Sequence, residues 1–371
     1  MRIAHILTAG TVRLSLFAGV LAVGIACPAT SWAQQKGNME LPLVWVLSTG
    51  GTIAGRGGST TSLSEYKSGS ILGSELVDAV PEIKQFANVK VEQISNVGST
   101  NMTIEIWRKL ATRINAIFAE DPQVSGVVIT HGTNTLEETA YFLNLTVRHD
   151  RPVVLVGAQR PATAISADGP LNLLNAIRTA AARDARGKGV LIVMNDEING
   201  ARDVTKTNTY RLEAFRSPEL GFLGYVDADK VSFYRASTKR HTANSEFDVS
   251  NIAKFPKVDI AYSYAEPNIA VLQALLKDGV NGIIFAGTGA GGVIDSEKEF
   301  VRAVAAAPGP RPVMVRSSRT GNGRVIPRKE FDDLGMVAAD TLNPQKARIL
   351  LMLALTKTRD VNEIRRIFSE Y

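Results

Sequence analysis

Two short runs rich in β-branched residues each end in threonines set among glycines. The first, residues 44–55, contains Thr49-Gly50-Gly51-Thr52, and the second, residues 126–139, contains Thr130-His131-Gly132-Thr133. Buried parallel strands have this apolar composition, and glycine lets the chain turn sharply where a strand ends. Ligands of open α/β sheets bind at the carboxyl ends of the strands. The two runs therefore predict an α/β protein that delivers two threonine hydroxyls to one crevice, although either run alone is equally compatible with a plain glycine turn.

Strand-like and helix-like segments alternate along the rest of the chain. Apolar runs predict strands at 43–47, 89–94, 126–130, 153–157 and 190–194, with helices between them at 104–118, 136–147 and 171–183. A second set of strands follows at 258–262, 282–286 and 312–315, and Asn343-Pro344 predicts the start of a last, deeply buried helix. This alternation favours mostly parallel sheets with helices on both faces. We expect α/β domains at 41–228 and 258–371, joined by a polar connector at 229–257.

Residues 1–33 have the pattern of a secretory signal peptide. Arg2 and Arg13 supply positive charge, residues 14–25 are apolar, and Ser31-Trp32-Ala33 ends in small residues suited to cleavage. About twelve apolar residues are too few to span a bilayer, so a membrane anchor is disfavoured. The single cysteine, Cys27, would leave with the signal, and the residues before it make a poor lipidation site. The mature protein is therefore expected outside the cytoplasm, without a disulfide and without a membrane segment.

Composition and motifs exclude several classes of function. Apolar and charged contents of 45% and 21% are those of a soluble globular protein, and the net charge of +6 is not concentrated in a basic, aromatic-rich stretch that would indicate nucleic-acid binding. The glycine-rich run 287–292 follows a strand, but no acidic residue ends the next one, so we expect a turn and no nucleotide cofactor. The four histidines lack metal-ligand spacing, and no G-x-S-x-G elbow is present.

One lysine stands out among small polar residues, in the run Asp203-Val204-Thr205-Lys206-Thr207-Asn208. Most lysines are solvated surface groups, and that interpretation of Lys206 stays open. A lysine drawn into a crevice loses hydration, which lowers its pKa towards that of a useful general base. Such a base is what a threonine nucleophile needs, because the hydroxyl is weakly reactive by itself.

The chain resembles the bacterial type II L-asparaginase and glutaminase-asparaginase family over residues 41–371. The resemblance rests on six motifs: Thr49-Gly50-Gly51-Thr52-Ile53-Ala54, His131-Gly132-Thr133, Gly157-Ala158-Gln159-Arg160-Pro161, Ser166-Ala167-Asp168-Gly169-Pro170, Arg202-Asp203-Val204-Thr205-Lys206-Thr207-Asn208 and Leu342-Asn343-Pro344-Gln345-Lys346-Ala347-Arg348. It implies a larger N-terminal and a smaller C-terminal domain, and a homotetramer built from dimers whose active sites lie between subunits. It also implies a periplasmic location and a small amino-acid amide as substrate.

The resemblance assigns five catalytic positions. Thr52 resembles the primary nucleophile, and Tyr66 resembles the tyrosine that polarises it and closes the site. Thr133 and Lys206 resemble the second threonine and its lysine. Glu330 resembles a glutamate that supports the nucleophile and the tyrosine.

Four further positions resemble substrate ligands, and three of them depart from the family pattern. Ser99 matches a ligand of the substrate carboxylate. Thr100 stands where the family has Gln or Glu, Asn134 stands where an aspartate would hold the α-ammonium, and Glu266 replaces the asparagine of a loop from the neighbouring subunit. These departures concern substrate affinity and choice more than the type of reaction.

These patterns predict an amidohydrolase that converts L-asparagine to L-aspartate and ammonia through a threonine acyl-enzyme, without metal or cofactor. One rival is an amidase of the same fold that prefers glutamine or another amide. The other is a periplasmic amino-acid-binding protein that has lost catalysis through Asn134 and Thr100.

Overall fold

The computed structural model describes residues 40–371, so the signal peptide assigned to residues 1–33 lies outside the described residues. Within that range the larger sheet has eight strands. From one edge to the other they are Val231–Phe233, Gly224–Val226, Glu197–Gly200, Val190–Met194, Val153–Val156, Val124–Thr130, Leu43–Gly50 and Asn88–Val97.

Five neighbouring strands of this sheet are parallel, and the first strand of the described residues lies between two of the others. Leu43–Gly50 pairs in parallel with Asn88–Val97 on one side and with Val124–Thr130 on the other. The chain thus moves outward on one side of the first strand and then crosses to the opposite side. At such a switch point the connections leave the strand ends in opposite directions, which opens a crevice there. Both threonine-bearing turns follow strands that border this crevice.

Helices cover both faces of the larger sheet. The α-helices of the described chain are Gly73–Asp78, Ile104–Glu120, Leu136–Thr146, Gly169–Ala181, Ala270–Lys277, Asp295–Ala306, Lys329–Asp332, Pro344–Ala354 and Val361–Glu370. Alternate strand residues enter separate apolar clusters: Leu155 packs on one face, whereas Val154 and Val156 pack on the other. Such strands are apolar throughout because both faces are buried, which is why their composition is recognisable in the sequence.

A second sheet contains four parallel strands, Val258–Tyr262, Gly282–Gly287, Val313–Ser318 and Val337–Ala338. Helix Pro344–Ala354 packs against this sheet and also against helix Leu136–Thr146 of the larger one. Contact on all sides explains why it is apolar around its whole circumference. Its predicted cap is confirmed, because the Asn343 side chain accepts a hydrogen bond from the Lys346 backbone N–H at 3.1 Å. One large and one small sheet, each with helices packed against it, confirm the predicted α/β fold class.

The larger sheet continues past residue 228, into the segment assigned to a connector. Val231–Phe233 pairs antiparallel with Gly224–Val226, and the intervening turn is closed by a hydrogen bond from Asp227 N–H to the Lys230 carbonyl at 3.0 Å. A three-residue edge strand needs no long apolar run, so the hydrophobic pattern does not reveal it. The glycine-rich run 287–292 forms a turn, as predicted, with Thr288 and Gly292 bridged across it. Among residues 40–371, none of the helices is both long and apolar enough to cross a bilayer.

Candidate active site

The two glycine turns approach each other directly at the switch point. Gly50 and Gly51 have φ values of +103° and +86°, and a β-carbon on Gly51 would lie 2.2 Å from the Gly132 backbone nitrogen. A side chain at Gly51 is therefore excluded both by the left-handed conformation and by the neighbouring backbone. Thr52 follows at once, buried at the start of the 3-10 helix Thr52–Ala54.

A tyrosine from a separate hairpin meets this threonine. Tyr66 lies on a two-stranded ribbon in which Tyr66–Lys67 pairs antiparallel with Arg56–Gly57. Its hydroxyl oxygen is 2.7 Å from Thr52 Oγ1. Either hydroxyl can donate in this contact, so the pair can pass a proton in either direction.

The second threonine is paired with the lysine singled out in the sequence. Lys206 Nζ donates a hydrogen bond to Thr133 Oγ1 at 2.8 Å. Lys206 lies on the short strand Thr205–Lys206, which pairs antiparallel with Phe215–Arg216. Burial lowers the pKa of Lys206, because the ammonium loses hydration there. These contacts disfavour the alternative of a solvated surface lysine.

One cavity of about 570 Å³ joins the two pairs. Its lining residues are Thr52, Leu63, Ser64, Tyr66, Thr133, Asn134, Glu137, Gln159, Lys206, Thr207, Asn208, Thr209 and Tyr210. Five of the nine site residues expected from the sequence are in this set. The lining is mostly polar, with hydroxyl, amide and amine groups that can both donate and accept hydrogen bonds.

Ser99 lies directly behind the cavity wall and is buried. Its hydroxyl accepts a hydrogen bond from the Asn134 backbone N–H at 3.0 Å, and its carbonyl accepts one from Thr135 Oγ1 at 2.7 Å. Ser99 thus fixes the turn that presents Thr133 and Asn134. Thr100, the next residue, is exposed and does not line the cavity.

The two glutamates assigned to the C-terminal half do not reach this cavity within one chain. Glu330 is exposed on the short helix Lys329–Asp332 and lies 3.6 Å from Lys298. Glu266 follows strand Val258–Tyr262 and has a φ of +55°, an unfavourable backbone conformation for a residue other than glycine. A single copy therefore brings together Thr52, Tyr66, Thr133, Asn134 and Lys206, but not these two carboxylates.

His131, between the strand and the turn that carries Thr133, is fully buried and neutral. Its Nδ1 faces the Gly132 carbonyl at 2.7 Å, so that nitrogen carries the proton. Nε2 then accepts from the Thr139 hydroxyl at 2.9 Å, and Thr139 accepts from the Trp107 indole N–H at 2.7 Å. Burial lowers the pKa of His131 to about 4. His131 thus has a structural role in this turn. Among residues 40–371, no cluster of three or more His, Cys, Asp or Glu side chains could hold a metal ion.

Sequence reasoning missed Glu137, the one carboxylate among the lining residues. The residue is buried, with 6% of its surface exposed, in the first turn of helix Leu136–Thr146. An acidic residue in a first helical turn is common on stability grounds alone, so its type and position gave no functional signal. Gln159 also lines the cavity, and its motif, Gly157-Ala158-Gln159-Arg160-Pro161, does not by itself indicate a role in the site.

Two family models match this chain and together cover most of it. "Asparaginase, N-terminal" matches residues 43–239, and "Glutaminase/Asparaginase C-terminal domain" matches residues 257–368.

Curated proteins are similar over nearly the same span. L-asparaginase 2 of Bacillus subtilis is 51% identical over 342 residues, which cover 92% of this chain and 90% of that protein. A probable periplasmic L-asparaginase of Haemophilus influenzae is 48% identical, with coverages of 90% and 94%. The glutaminase-asparaginase of Pseudomonas fluorescens is 44% identical, with coverages of 95% and 97%. Among solved structures, a probable cytoplasmic L-asparaginase from Campylobacter jejuni superimposes with a TM-score of 0.85 at 47% identity, covering 88% of this chain and 99% of that one.

Proposed function

This chain belongs to the asparaginase family and is an amidohydrolase of the asparaginase/glutaminase type, and from that premise we propose that it hydrolyses the side-chain amide of L-asparagine through a Thr52 acyl-enzyme. The observation that carries the proposal is the pair of threonine contacts in one cavity. Thr52 meets Tyr66 at 2.7 Å, and Thr133 meets Lys206 at 2.8 Å.

In the first half of the proposed reaction, Thr52 Oγ1 forms a bond to the amide carbon. Its proton passes to the oxygen of Tyr66, which is already in contact, while Tyr66 releases its own hydroxyl proton towards the amide nitrogen. The carbonyl oxygen becomes an oxyanion, which backbone N–H groups at the strand ends stabilise. The carbon–nitrogen bond then breaks as the nitrogen takes up this proton, ammonia leaves, and an ester to Thr52 remains.

In the second half, water attacks the ester carbon and gives its proton back to Thr52 as the carbon–oxygen bond breaks. Lys206 serves as the base in this step: through the Thr133 hydroxyl it takes the proton from the attacking water and returns it to Thr52. Its partial burial supports this role, because a lowered pKa increases the neutral fraction that can accept a proton. These steps use only groups of the chain, the substrate and water.

The polar groups around the α-amino and α-carboxylate positions affect how tightly either substrate binds, because asparagine and glutamine share these two groups. Asn134 lines the cavity but carries no charge, so it holds an ammonium less strongly than an aspartate would. We propose that asparagine is the main substrate and that glutamine is turned over more slowly. The second activity is supported by the name of the Pseudomonas fluorescens relative, a glutaminase-asparaginase.

We further propose that the working enzyme is a homotetramer in which Glu266 and Glu330 complete the site of a neighbouring copy. Both lie outside the cavity of their own chain, and Glu266 has an unfavourable backbone conformation of the kind that accompanies functional contacts. For location we propose the periplasm, from the pattern of residues 1–33. The Haemophilus influenzae relative is named periplasmic, whereas the Campylobacter jejuni structure is titled cytoplasmic, so location varies among the relatives.

Ammonia release from the purified protein beginning at Gln34 tests the proposal. Release from L-asparagine, faster than from L-glutamine and absent in Thr52→Ala, is expected. If calorimetry shows that the protein binds asparagine but no ammonia is released, the protein is instead the amino-acid-binding protein considered above. Faster release from glutamine would transfer the proposal to a glutaminase of the same fold.

A further inference from the structure

A fully buried lysine, Lys346, lies beside the candidate active site although it does not line the cavity. It belongs to helix Pro344–Ala354 in the C-terminal part of the chain. Its ammonium donates hydrogen bonds to the carbonyl of Arg202 at 2.9 Å and to that of Val204. Burial lowers the pKa of Lys346 to about 8, while the nearby Glu137 carboxylate acts in the opposite direction. Donation to two carbonyls beside a carboxylate favours the charged form of this lysine.

Glu137 provides the opposite charge from the other side. Its Oε2 is 3.8 Å from Lys346 Nζ and accepts from Asn343 Nδ2 at 3.2 Å, and its Oε1 accepts from Gln345 Nε2 at 3.4 Å. The backbone N–H of Lys206 points at the same Oε1 at 3.5 Å. Glu137 thus links three residues around the start of helix Pro344–Ala354 to the strand that carries Lys206.

The segment 202–206 is held from both sides by these two charges. Lys346 binds two of its carbonyls, and Glu137 faces its last N–H. The Arg202 side chain anchors the other end, because its Nε donates to the Tyr371 carbonyl at 2.6 Å. A lysine side chain has four flexible carbons and does not by itself hold its ammonium in one place. The 2.8 Å contact of Lys206 with Thr133 therefore depends on a backbone that is fixed at the right distance.

We propose that the buried Glu137–Lys346 pair positions Lys206 against Thr133, so that proton transfer in the cavity depends on a helix of the C-terminal domain. This inference rests on the proposed function for its kinetic consequence. Both residues are positioning residues, since they act through Lys206.

A purely stabilising role would not require charges here. Apolar side chains of similar volume often stabilise a buried position as well as an ion pair does. What an apolar pair could not do is bind two carbonyls of the segment and accept a hydrogen bond from the Lys206 backbone N–H. The inference therefore predicts two effects beyond stability, one on turnover and one on the titration of Lys206.

Turnover is measured first, with Glu137→Gln and Lys346→Met. We expect each to lower kcat by about 10- to 100-fold with KM changed by less than about threefold, because a misplaced base affects the reaction step more than binding. Glu138→Gln is the matched control. It removes the same charge one residue along the helix, but Glu138 makes no side-chain hydrogen bond to residues 202–206 in the described structure. Thermal unfolding of each variant shows whether the variant is folded at the assay temperature, so that its kcat can be compared with that of the wild type.

The pKa of Lys206 is measured separately, without any turnover. The rate at which Lys206 is acylated by a small amine-reactive reagent is followed against pH by peptide mass spectrometry. Burial lowers the pKa of Lys206 while the side chain is held against Thr133, so a Glu137→Gln variant in which Lys206 leaves this place should show a profile moved to higher pH. The other titratable and charged groups that face this neighbourhood are Tyr66 and Tyr210 in the cavity and Arg202, Asp203, Glu138 and Lys346 around the pair; Glu138 and Lys346 are the two that the companion variants change.

The possible results separate the two proposals. Lower melting temperatures with unchanged kcat and an unchanged Lys206 profile would reduce the pair to a structural contact and overturn the inference. A shift equal to that in Glu138→Gln would do the same, because it would show a general charge effect. If the wild-type protein releases no ammonia, the proposed function fails, yet the acylation profile still shows whether Glu137 acts on Lys206.

Discussion

The hydroxyl of Tyr66 lies 2.7 Å from Thr52 Oγ1, although the two residues belong to different structural elements: Tyr66 to a small hairpin and Thr52 to the turn after a strand. Gly55 makes room for this approach, since a β-carbon there would lie 2.8 Å from the tyrosine ring. The Tyr66 hydroxyl, which can both accept and donate a proton, thus lies next to the Thr52 hydroxyl that is expected to act as the nucleophile. The first two predictions test the two partners.

Thr52→Ala removes the hydroxyl of the proposed nucleophile and keeps only the β-carbon of the side chain. We expect kcat for L-asparagine to fall by about three orders of magnitude or more, as when a nucleophile is deleted in other hydrolases. Melting temperature and oligomeric state should stay close to those of the wild type. Steady-state ammonia release checks this, and a variant that kept a tenth of the wild-type kcat would exclude Thr52 as the nucleophile.

Tyr66→Phe removes only the hydroxyl and keeps the ring over Gly55. Loss of a group that transfers protons in the transition state should lower kcat by about 100-fold, with a small change in KM. Tyr210→Phe is a suitable control, because Tyr210 also lines the cavity but is 75% exposed. Equal effects of the two substitutions would contradict a specific role for Tyr66.

Lys206→Met retains most of the volume of the side chain and removes the amine that contacts Thr133. If Lys206 is the base, kcat should fall much more than binding weakens, and the rise of activity with pH that reflects its deprotonation should disappear. A substitution that raised KM alone would return Lys206 to a substrate-binding or surface role. The kcat and KM values measured from pH 6 to pH 10 decide between these outcomes.

His131 makes the fold sensitive to acid. Its pKa is about 4 in the folded chain against an ordinary 6.5, so its contribution to stability is complete above pH 6.5 and is lost as the pH falls towards 4. The difference corresponds to on the order of 3 kcal/mol of unfolding free energy. Urea unfolding at pH 7, 5.5 and 4.5 should show this loss. His131→Gln should flatten the dependence, whereas His149→Gln, at a partly exposed site, should change it less.

The missing carboxylate at Asn134 is tested with a pair of substitutions. Removing one partner of a buried ammonium–carboxylate contact costs about 2–5 kcal/mol, so either the substrate binds weakly or another acid compensates. We propose Glu266 of a neighbouring copy, whose φ of +55° indicates a constrained position. Glu266→Gln should then lower kcat/KM about tenfold or more, and Asn134→Asp should gain little. A silent Glu266→Gln with a strong gain in Asn134→Asp would exclude this compensation.

Most of the central strands could be predicted because their burial on two faces leaves uninterrupted apolar runs. Val190–Met194 and Val258–Tyr262 begin and end at the predicted residues. The cap at Asn343 was predictable for another reason, since its side chain bonds to a backbone group only three residues away. Strand Val231–Phe233 was not, because its three residues carry no periodic pattern.

The sequence by itself determined the two glycine turns and the residues that follow them. Only glycine tolerates the φ of +86° and the close backbone approach at Gly51, so its place in the chain predicts a turn at Thr52. The tertiary structure alone decided which groups meet those threonines. The Tyr66 hydroxyl, the Lys206 ammonium and the Glu137–Lys346 pair come from segments far apart in the chain. Their contacts depend on strand order and helix packing, which bring distant residues together without leaving a periodic trace in the sequence.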